Sequence, residues 1–146
     1  NVLQSVILTR DDEMVLTPTY HLFKMYIPHQ GAEYLPLHYE SKQLRDKNNR
    51  VVNTLSATAS RAENGTVTIT LANVDLVSDC RITISLDDDK KYDVSGSILT
   101  SKNISDHNTF EDPECIKMVK YDNFKSQKGS IEVVLPTKSI VSLTLK

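Results

Sequence analysis

Residues 65–74, GTVTITLANV, decide the fold class of this chain. The apolar residues Val67, Ile69 and Leu71 fall on one side of an extended backbone, and the threonines fall on the other. Successive side chains of a strand point to opposite faces of a sheet, so this alternation is typical of a strand that buries one face. The stretch therefore predicts one strand of an antiparallel sheet.

Three later stretches alternate in the same way. The apolar residues predicted to face the core are Ile82, Ile84 and Leu86 in CRITISLD, Ile131, Val133 and Leu135 in GSIEVVLP, and Val141, Leu143 and Leu145 in SIVSLTLK. Weaker strands are predicted at Leu35–Ser41, Val52–Ser60, Tyr92–Leu99 and Ile116–Val119. Many short strands with one apolar face each, separated by turn residues, predict a mainly β chain with an antiparallel β-sandwich over roughly residues 35–146.

The first thirty residues follow a different pattern. Val2, Leu3, Val6 and Ile7 recur at helical spacing, which predicts a helix with one apolar stripe. A polar turn, RDDE, follows this stripe. The short apolar run Met14–Leu16 is then typical of a buried strand.

A second helix is predicted directly after that strand. Thr17 is a good N-cap residue and Pro18 is favoured at the first helical position. The residues that form the apolar stripe of this helix are Leu22, Phe23, Tyr26 and Ile27. The order helix, strand, helix is the pattern of a unit taken from a parallel sheet or barrel.

Composition excludes several classes of function. The formal net charge is −2, whereas a nucleic-acid-binding domain needs a basic face. No apolar run approaches the ~20 residues of a membrane-spanning helix. The four histidines form no i, i+4 pair with another histidine or cysteine, and no nucleotide-binding fingerprint occurs. The sequence thus predicts no nucleic-acid or membrane partner, no metal and no cofactor.

The chain has two cysteines, Cys80 and Cys115. Two cysteines in a domain of this size are neither a disulfide framework nor a zinc site. We expect two buried free thiols on strands. A single disulfide is the alternative, and it would require an oxidising compartment.

The whole chain resembles the C-terminal region of α-L-arabinofuranosidases of glycoside hydrolase family 51. The resemblance rests on NVLQSVIL, MVLTPTYHLFKMYIPHQ, ATASR, TITLANVD, GSILTSKNISDHNTFEDPE and VVLPTKSIVSLTL, which occur in the family's order. The most specific parts are the TPTYH-F motif at residues 17–23 and the N-TFE-P motif at residues 108–113.

This resemblance implies a two-part organisation. Family members carry a (β/α)8 barrel with a jelly-roll β-sandwich, and they remove terminal arabinofuranosyl groups from arabinan and arabinoxylan with retention of configuration. Residues 1–34 would then be the end of the barrel: Val2–Ile7 would finish a late helix, Met14–Leu16 would be the last strand, and Thr17–Ile27 the last helix. Residues 35–146 would be the sandwich domain.

The resemblance also implies where the chemistry lies. Two glutamates of the barrel act as acid/base and nucleophile, and both would lie upstream of Asn1, so the fragment would be non-catalytic. The acids present here occupy turns and exposed positions, and we expect Glu111 and Glu114 to fix a loop. The expected partners are the same-chain barrel and, through the parent protein, an arabinose-containing polysaccharide or oligosaccharide.

The resemblance also implies a position near the substrate, where this chain has Thr17 in place of the family's frequent Gln. The active site of a (β/α)8 barrel lies at the C-terminal ends of its strands, and Thr17 follows such an end. In the family the residue at this position, often Gln, can contact the sugar. We therefore expect Thr17, Tyr20 and His21 to form a rim of the substrate pocket. In the alternative, Thr17 is only an N-cap, and Tyr20 and His21 pack between helix and sandwich.

The sequence is also compatible with two other classes of function. A carbohydrate-binding module would use exposed aromatic side chains, for which Tyr34, Tyr39, Tyr92 and Tyr121 are available. An Ig-like surface interaction domain would not explain the opening segment. If the barrel is missing, the two apolar stripes lose their partner. The opening segment would then be poorly ordered, folded back on the sandwich, or buried by self-association.

Overall fold

The computed structural model describes residues 5–146. The strands are β1 Ile7–Arg10, β2 Glu13–Leu16, β3 Glu33–Leu35, β4 Gln43–Arg45, β5 Val51–Asn53, β6 Leu55–Arg61, β7 Val67–Asn73, β8 Cys80–Ser85, β9 Val94–Thr100, β10 Val119–Tyr121, β11 Phe124–Gln127, β12 Ser130–Leu135 and β13 Ser139–Leu145. The helix α1 spans Pro18–Tyr26, and a 3-10 helix follows at Ile27–His29. Neither described helix is long and apolar enough to cross a membrane.

Two antiparallel sheets account for most of the strands. The larger sheet has the order β10-β9-β13-β7-β6-β3, and the smaller has the order β11-β12-β8. Two further hairpins, β1–β2 and β4–β5, complete the described strands. The mainly β, antiparallel character predicted from the alternating stretches is thus confirmed.

A single core lies between the two sheets. Ile131, Leu135 and Leu143 are fully buried in it, with Val67 and Ile69 of β7 beside them. All twelve residues that the alternation placed inward belong to this core or pack against it. The threonine face of β7 is also covered, since Thr68 and Thr70 are 3% and 0% exposed. The larger sheet is therefore covered on both faces at its centre.

Several predicted strands differ in their limits. The strand predicted from residue 35 ends at Leu35, because Pro36 has no N–H to continue the ladder. The predicted strand 52–60 is divided at Thr54 into β5 and β6, and the predicted strand 116–119 begins only at Val119. Strand β11 was not predicted, because FKSQ has no clear apolar face.

The helix predicted over residues 2–7 is wrong where the structure describes it. Ile7 begins β1, which pairs antiparallel with β2, and Val6 lies in the bend before it. Asp11 adopts a positive φ of 51° in the turn, a conformation that Asp tolerates better than most residues. The hydrogen bonds to β2 thus decide the conformation of this segment. Val2 and Leu3 lie outside the described residues.

Helix α1 begins where the sequence predicts, with Thr17 as N-cap and Pro18 in its first turn. Its predicted apolar stripe is divided between two environments. Met25 is buried against Leu99 and Ile116, with Leu22 and Tyr26 partly buried beside it. Phe23 and Ile27 remain 57% and 58% exposed. The helix is therefore folded back on the outer face of the larger sheet, while its other apolar edge faces outward.

Candidate functional site

Thr17 lies between the end of β2 and the start of α1. Its Oγ1 lies 2.8 Å from the Ser5 carbonyl oxygen and 2.9 Å from that of Val6, and it donates its proton to them. Its backbone N–H also donates to the Val6 carbonyl, at 3.2 Å. Although Thr17 is the N-cap residue, its side chain makes no capping hydrogen bond. The Thr17 hydroxyl proton is therefore engaged with the backbone carbonyls of the segment before β1.

Tyr20 and His21 lie in the first turn of α1 and are both half-buried. Their rings meet edge to face with centroids 5.5 Å apart. Burial, followed by the positive charge of Lys24, lowers the pKa of His21, while Glu114 acts in the opposite direction. His21 is therefore neutral near pH 7 and can act as a hydrogen-bond donor and acceptor. The structure brings Thr17, Tyr20 and His21 together at one end of β2.

Asn108 connects the end of β2 to a distant loop. The side chain is 4% exposed, and its Nδ2 donates to the Leu16 carbonyl at 2.7 Å and to the Ile116 carbonyl at 2.8 Å. Its Oδ1 accepts the backbone N–H of Ile116 at 2.7 Å. Asn108 is the first residue of the N-TFE-P motif, and no local pattern predicts its role. Its hydrogen bonds attach loop 101–118 to the residue before Thr17.

The other end of the β1–β2 hairpin contacts the same loop. The guanidinium carbon of Arg10 lies 4.2 Å from the centroid of the Phe110 ring, a cation–π distance. Arg10 Nη1 also lies 3.5 Å from Glu111 Oε1. Glu114 pairs with Lys117 at 2.8 Å. Glu111 thus links the loop to the hairpin, and Glu114 pairs within the loop; that they fix the loop stays a prediction.

His29 attaches the 3-10 helix to the outer face of the larger sheet. Its Nδ1 lies 2.7 Å from Ser60 Oγ, and its Nε2 lies 2.9 Å from Thr70 Oγ1. Because Thr70 donates its own proton to Ser142 Oγ at 3.3 Å, Thr70 accepts from the Nε2–H of the imidazole. Burial lowers the pKa of His29 and so favours the neutral ring, whose Nδ1 accepts from the Ser60 hydroxyl. No local pattern in the sequence marked this contact.

We predict that the chain loses stability as the pH falls through about 6.5, the ordinary histidine pKa. A histidine whose folded-state pKa is lowered binds fewer protons than in the unfolded chain, so the stabilisation is present above that pH and is lost below it. Urea unfolding at pH 7.5 and pH 5.5 measures the difference. The variant His29→Gln should show a smaller difference than wild type. Gln30→Ala, at the exposed neighbouring position, serves as control and should keep the wild-type difference; equal pH dependence in all three proteins would contradict the role of His29.

Six carboxyl groups among residues 5–146 have a pKa that is shifted from its ordinary value. Every shifted carboxyl pKa among residues 5–146 is lowered, which is the opposite of what a proton donor at neutral pH needs. In Asp75, for example, hydrogen bonds from Lys42 Nζ and then from backbone N–H groups lower the pKa to about 2. These acids form ion pairs and loop hydrogen bonds.

The histidines, acids and cysteines of residues 5–146 are the side chains that could form a metal site or a disulfide. No group of three or more potential ligands among His, Cys, Asp and Glu occurs within residues 5–146. Both cysteines are free thiols. Cys80 lies half-buried on β8, but Cys115 is exposed in a loop, so the expectation of two buried thiols on strands is wrong for Cys115.

The four tyrosines proposed for a sugar-binding face differ in their surroundings. Tyr121 is 8% exposed, and its hydroxyl donates to the Val134 carbonyl. The hydroxyl of Tyr92 donates to Asp88 at 2.8 Å. Tyr34 and Tyr39 are 68% and 49% exposed. Only half of the proposed set therefore presents a largely free ring.

Comparison with known proteins identifies relatives of the whole chain. Residues 1–139 match the family model of the α-L-arabinofuranosidase C-terminal domain. The chain is 47% identical over all 146 residues to an intracellular exo-α-L-arabinofuranosidase of Bacteroides ovatus, of which it spans 28%. The chain therefore corresponds to less than a third of that protein.

Solved structures agree with the sequence match. The GH51 arabinofuranosidase from Xanthomonas axonopodis pv. citri superposes with a TM-score of 0.92 at 37% identity, over 100% of this chain and 29% of that one. The thermostable GH51 α-L-arabinofuranosidase from Thermotoga petrophila RKU-1 shares the fold, with a TM-score of 0.82 at 21% identity over 97% of this chain and 31% of that one. The predicted family resemblance is confirmed. The match to the family model over nearly the whole sequence shows that the chain belongs to the α-L-arabinofuranosidase C-terminal domain family.

Proposed function

We propose that this chain is the C-terminal part of a retaining α-L-arabinofuranosidase that removes terminal arabinofuranosyl groups from arabinan or arabinoxylan. The observation that carries the proposal is the match of residues 1–139 to the family model, together with 47% identity to an exo-α-L-arabinofuranosidase. Because the chain spans 28% of that relative, the activity belongs to the longer protein. The described part serves as its structural companion.

Residues 1–34 form, in this proposal, the end of a (β/α)8 barrel, and residues 35–146 form a sandwich of jelly-roll type. Two observations support the division. Strand β2 is followed at once by α1, as a barrel strand is followed by its helix. The larger and the smaller sheet share one core, and every residue of that core comes after position 34. Within residues 5–34, β2 and α1 take the roles of last strand and last helix, and β1 is an antiparallel neighbour of β2.

The partner of the chain in this proposal is the catalytic barrel of the same protein. Exposed apolar side chains on the hairpin and on the two helices support it, with Ile7 42%, Met14 60%, Phe23 57% and Ile27 58% exposed. A cluster of such side chains is typical of a surface that another unit covers. An isolated 146-residue chain would leave these side chains in water, and we expect it to self-associate through them.

Catalysis in this proposal depends on two glutamates outside the 146 residues. A retaining glycosidase needs two carboxyl groups roughly 5 Å apart, one of them with a raised pKa. The shifted carboxyl pKa values among residues 5–146 are all lowered, which does not suit the acid/base role. Thr17, Tyr20 and His21 lie at the C-terminal end of β2, and we assign them to the rim of the substrate pocket.

Comparing the full-length protein with the 146-residue chain tests the proposed function. We expect the full-length protein to hydrolyse a 4-nitrophenyl α-L-arabinofuranoside and to release arabinose from arabinan. We expect the isolated chain to show no turnover, because it lacks the acid/base and the nucleophile. A 4-nitrophenyl β-D-xylopyranoside is the control substrate. Turnover by the isolated chain, or a full-length protein inactive on arabinofuranosides, would overturn the proposal.

A further inference from the structure

The peptide group between Leu16 and Thr17 is fixed at both ends by hydrogen bonds. Its carbonyl oxygen accepts from Asn108 Nδ2 at 2.7 Å, and its N–H donates to the Val6 carbonyl at 3.2 Å. This peptide is the point at which the chain leaves β2 and enters α1. Its orientation sets the direction in which Thr17 and the first turn of the helix extend.

Asn108 is itself held firmly. Both its oxygen and its nitrogen bond to the backbone of Ile116, at 2.7 and 2.8 Å, so its amide cannot rotate or flip without losing a hydrogen bond. Ile116 is 7% exposed and belongs to the apolar cluster that contains Met25 of α1 and Leu99 of β9. A buried, doubly bonded amide is a rigid support, because every alternative orientation leaves a buried polar group without a partner.

The same loop contacts the far end of the hairpin. Phe110 lies under the Arg10 guanidinium at 4.2 Å, and Glu111 lies 3.5 Å from Arg10 Nη1. Residues 108–111 therefore contact the hairpin at the end of β2 and at its turn. A loop that contacts both ends limits how far the hairpin can tilt relative to the larger sheet.

We propose that Asn108 is a positioning residue for the substrate pocket: through the Leu16 carbonyl it holds the strand end that carries Thr17, Tyr20 and His21. The inference rests on the proposed function, since these residues face a substrate only in the complete enzyme. Asn108 acts through the backbone and touches no substrate. It lies 92 residues after Leu16, so the β-rich part of the chain acts on the pocket of the catalytic part through this one hydrogen bond.

Kinetics of the full-length enzyme test the inference. For Asn108→Ala we expect kcat for 4-nitrophenyl α-L-arabinofuranoside to fall roughly 10- to 100-fold, since displacement of a positioning group by about 1 Å has effects of this size. We expect KM to change less than threefold. Asn108→Asp keeps the acceptor for Ile116 but has no donor for Leu16, and should lose a similar factor. Asn103→Ala, at an exposed position of the same loop, is the matched control and should retain wild-type kcat.

Stability measurements separate a positioning role of Asn108 from a purely structural role. Circular dichroism and thermal melting give the folded fraction at the assay temperature, and kcat is expressed per folded molecule. A purely structural role would lower the melting temperature and leave this kcat unchanged, which would overturn the inference. If Asn108→Ala and Asn108→Asp do not fold, Asn108→Ser decides, because its shorter side chain keeps a polar group at the buried position but does not reach the Leu16 carbonyl. We expect its kcat per folded molecule to fall by a similar factor, and an unchanged kcat would overturn the inference. A wild-type enzyme without arabinofuranosidase activity would instead refute the proposed function.

Discussion

Replacement of Gly96 by alanine is expected to lower the free energy of unfolding by about 3 kcal/mol, the upper end of the usual cost of overpacking. Gly96 lies in β9 between Tyr121 of β10 and Leu143 of β13. A Cβ at this position would lie 2.5 Å from the Tyr121 carbonyl oxygen and 2.9 Å from Phe124 Cε1. The nearest atom belongs to backbone in a hydrogen-bonded strand pair, so relief requires moving β10 away from β9.

Urea unfolding of the 146-residue chain measures this loss, and Gly65→Ala is the matched control. Gly65 has φ of 83°, but a Cβ there would meet nothing within 4 Å. Its substitution strains only the backbone and should cost about 1 kcal/mol. If Gly96→Ala were no more harmful than Gly65→Ala, the close approach of β10 to β9 would be refuted.

Truncation of Asn73 to alanine is expected to cost about 3 kcal/mol, since each buried polar group left without a partner costs about 1–3 kcal/mol. Asn73 is 1% exposed at the end of β7. Its Nδ2 lies 3.0 Å from the Ser78 carbonyl, 3.1 Å from that of Leu135 and 3.0 Å from that of Pro136. Its Oδ1 accepts the N–H of Asp75 at 3.0 Å. One side chain thus joins the loop after β7 to the turn before β13.

Two further variants separate the hydrogen bonds from loss of packing. Asn73→Asp is nearly isosteric but would direct a carboxylate oxygen at carbonyl oxygens, so it should destabilise at least as much as Asn73→Ala. Asn53→Ala, at an exposed position of β5, should change the free energy of unfolding by no more than about 0.5 kcal/mol. A tolerated Asn73→Asp would show that the donor side of Asn73 contributes little.

The strands were predictable because their signal is local. In β7, β12 and β13 every second residue is apolar, and a strand with one face on a core requires that alternation whatever its neighbours are. The start of α1 was predictable for the same reason, since Thr17 and Pro18 favour helix initiation by their own chemistry. The family was also readable, because its motifs occur in order along the chain.

The first segment shows where local patterns fail. Val6 and Ile7 fit a helical spacing, but β-branched residues fit a strand equally well, and the ladder to β2 decides between them. The stripe of α1 was predicted as one face, yet the larger sheet covers Leu22 and leaves Phe23 exposed. Which part of a wide apolar surface is buried depends on the position of the neighbouring element.

The sequence by itself determined the β-rich class, the core-facing residues of the main strands, the position of α1 and the family. Only the tertiary structure decided how these elements are held together. His29 bonds to residues 31 and 41 positions away, and Asn108 to one 92 positions away. Such contacts leave no periodic pattern, because a single polar side chain meets its partner only after both backbones are in place. The periodicity of apolar residues indicates which face of an element is buried. Which residues pack against that face depends on how the whole chain folds.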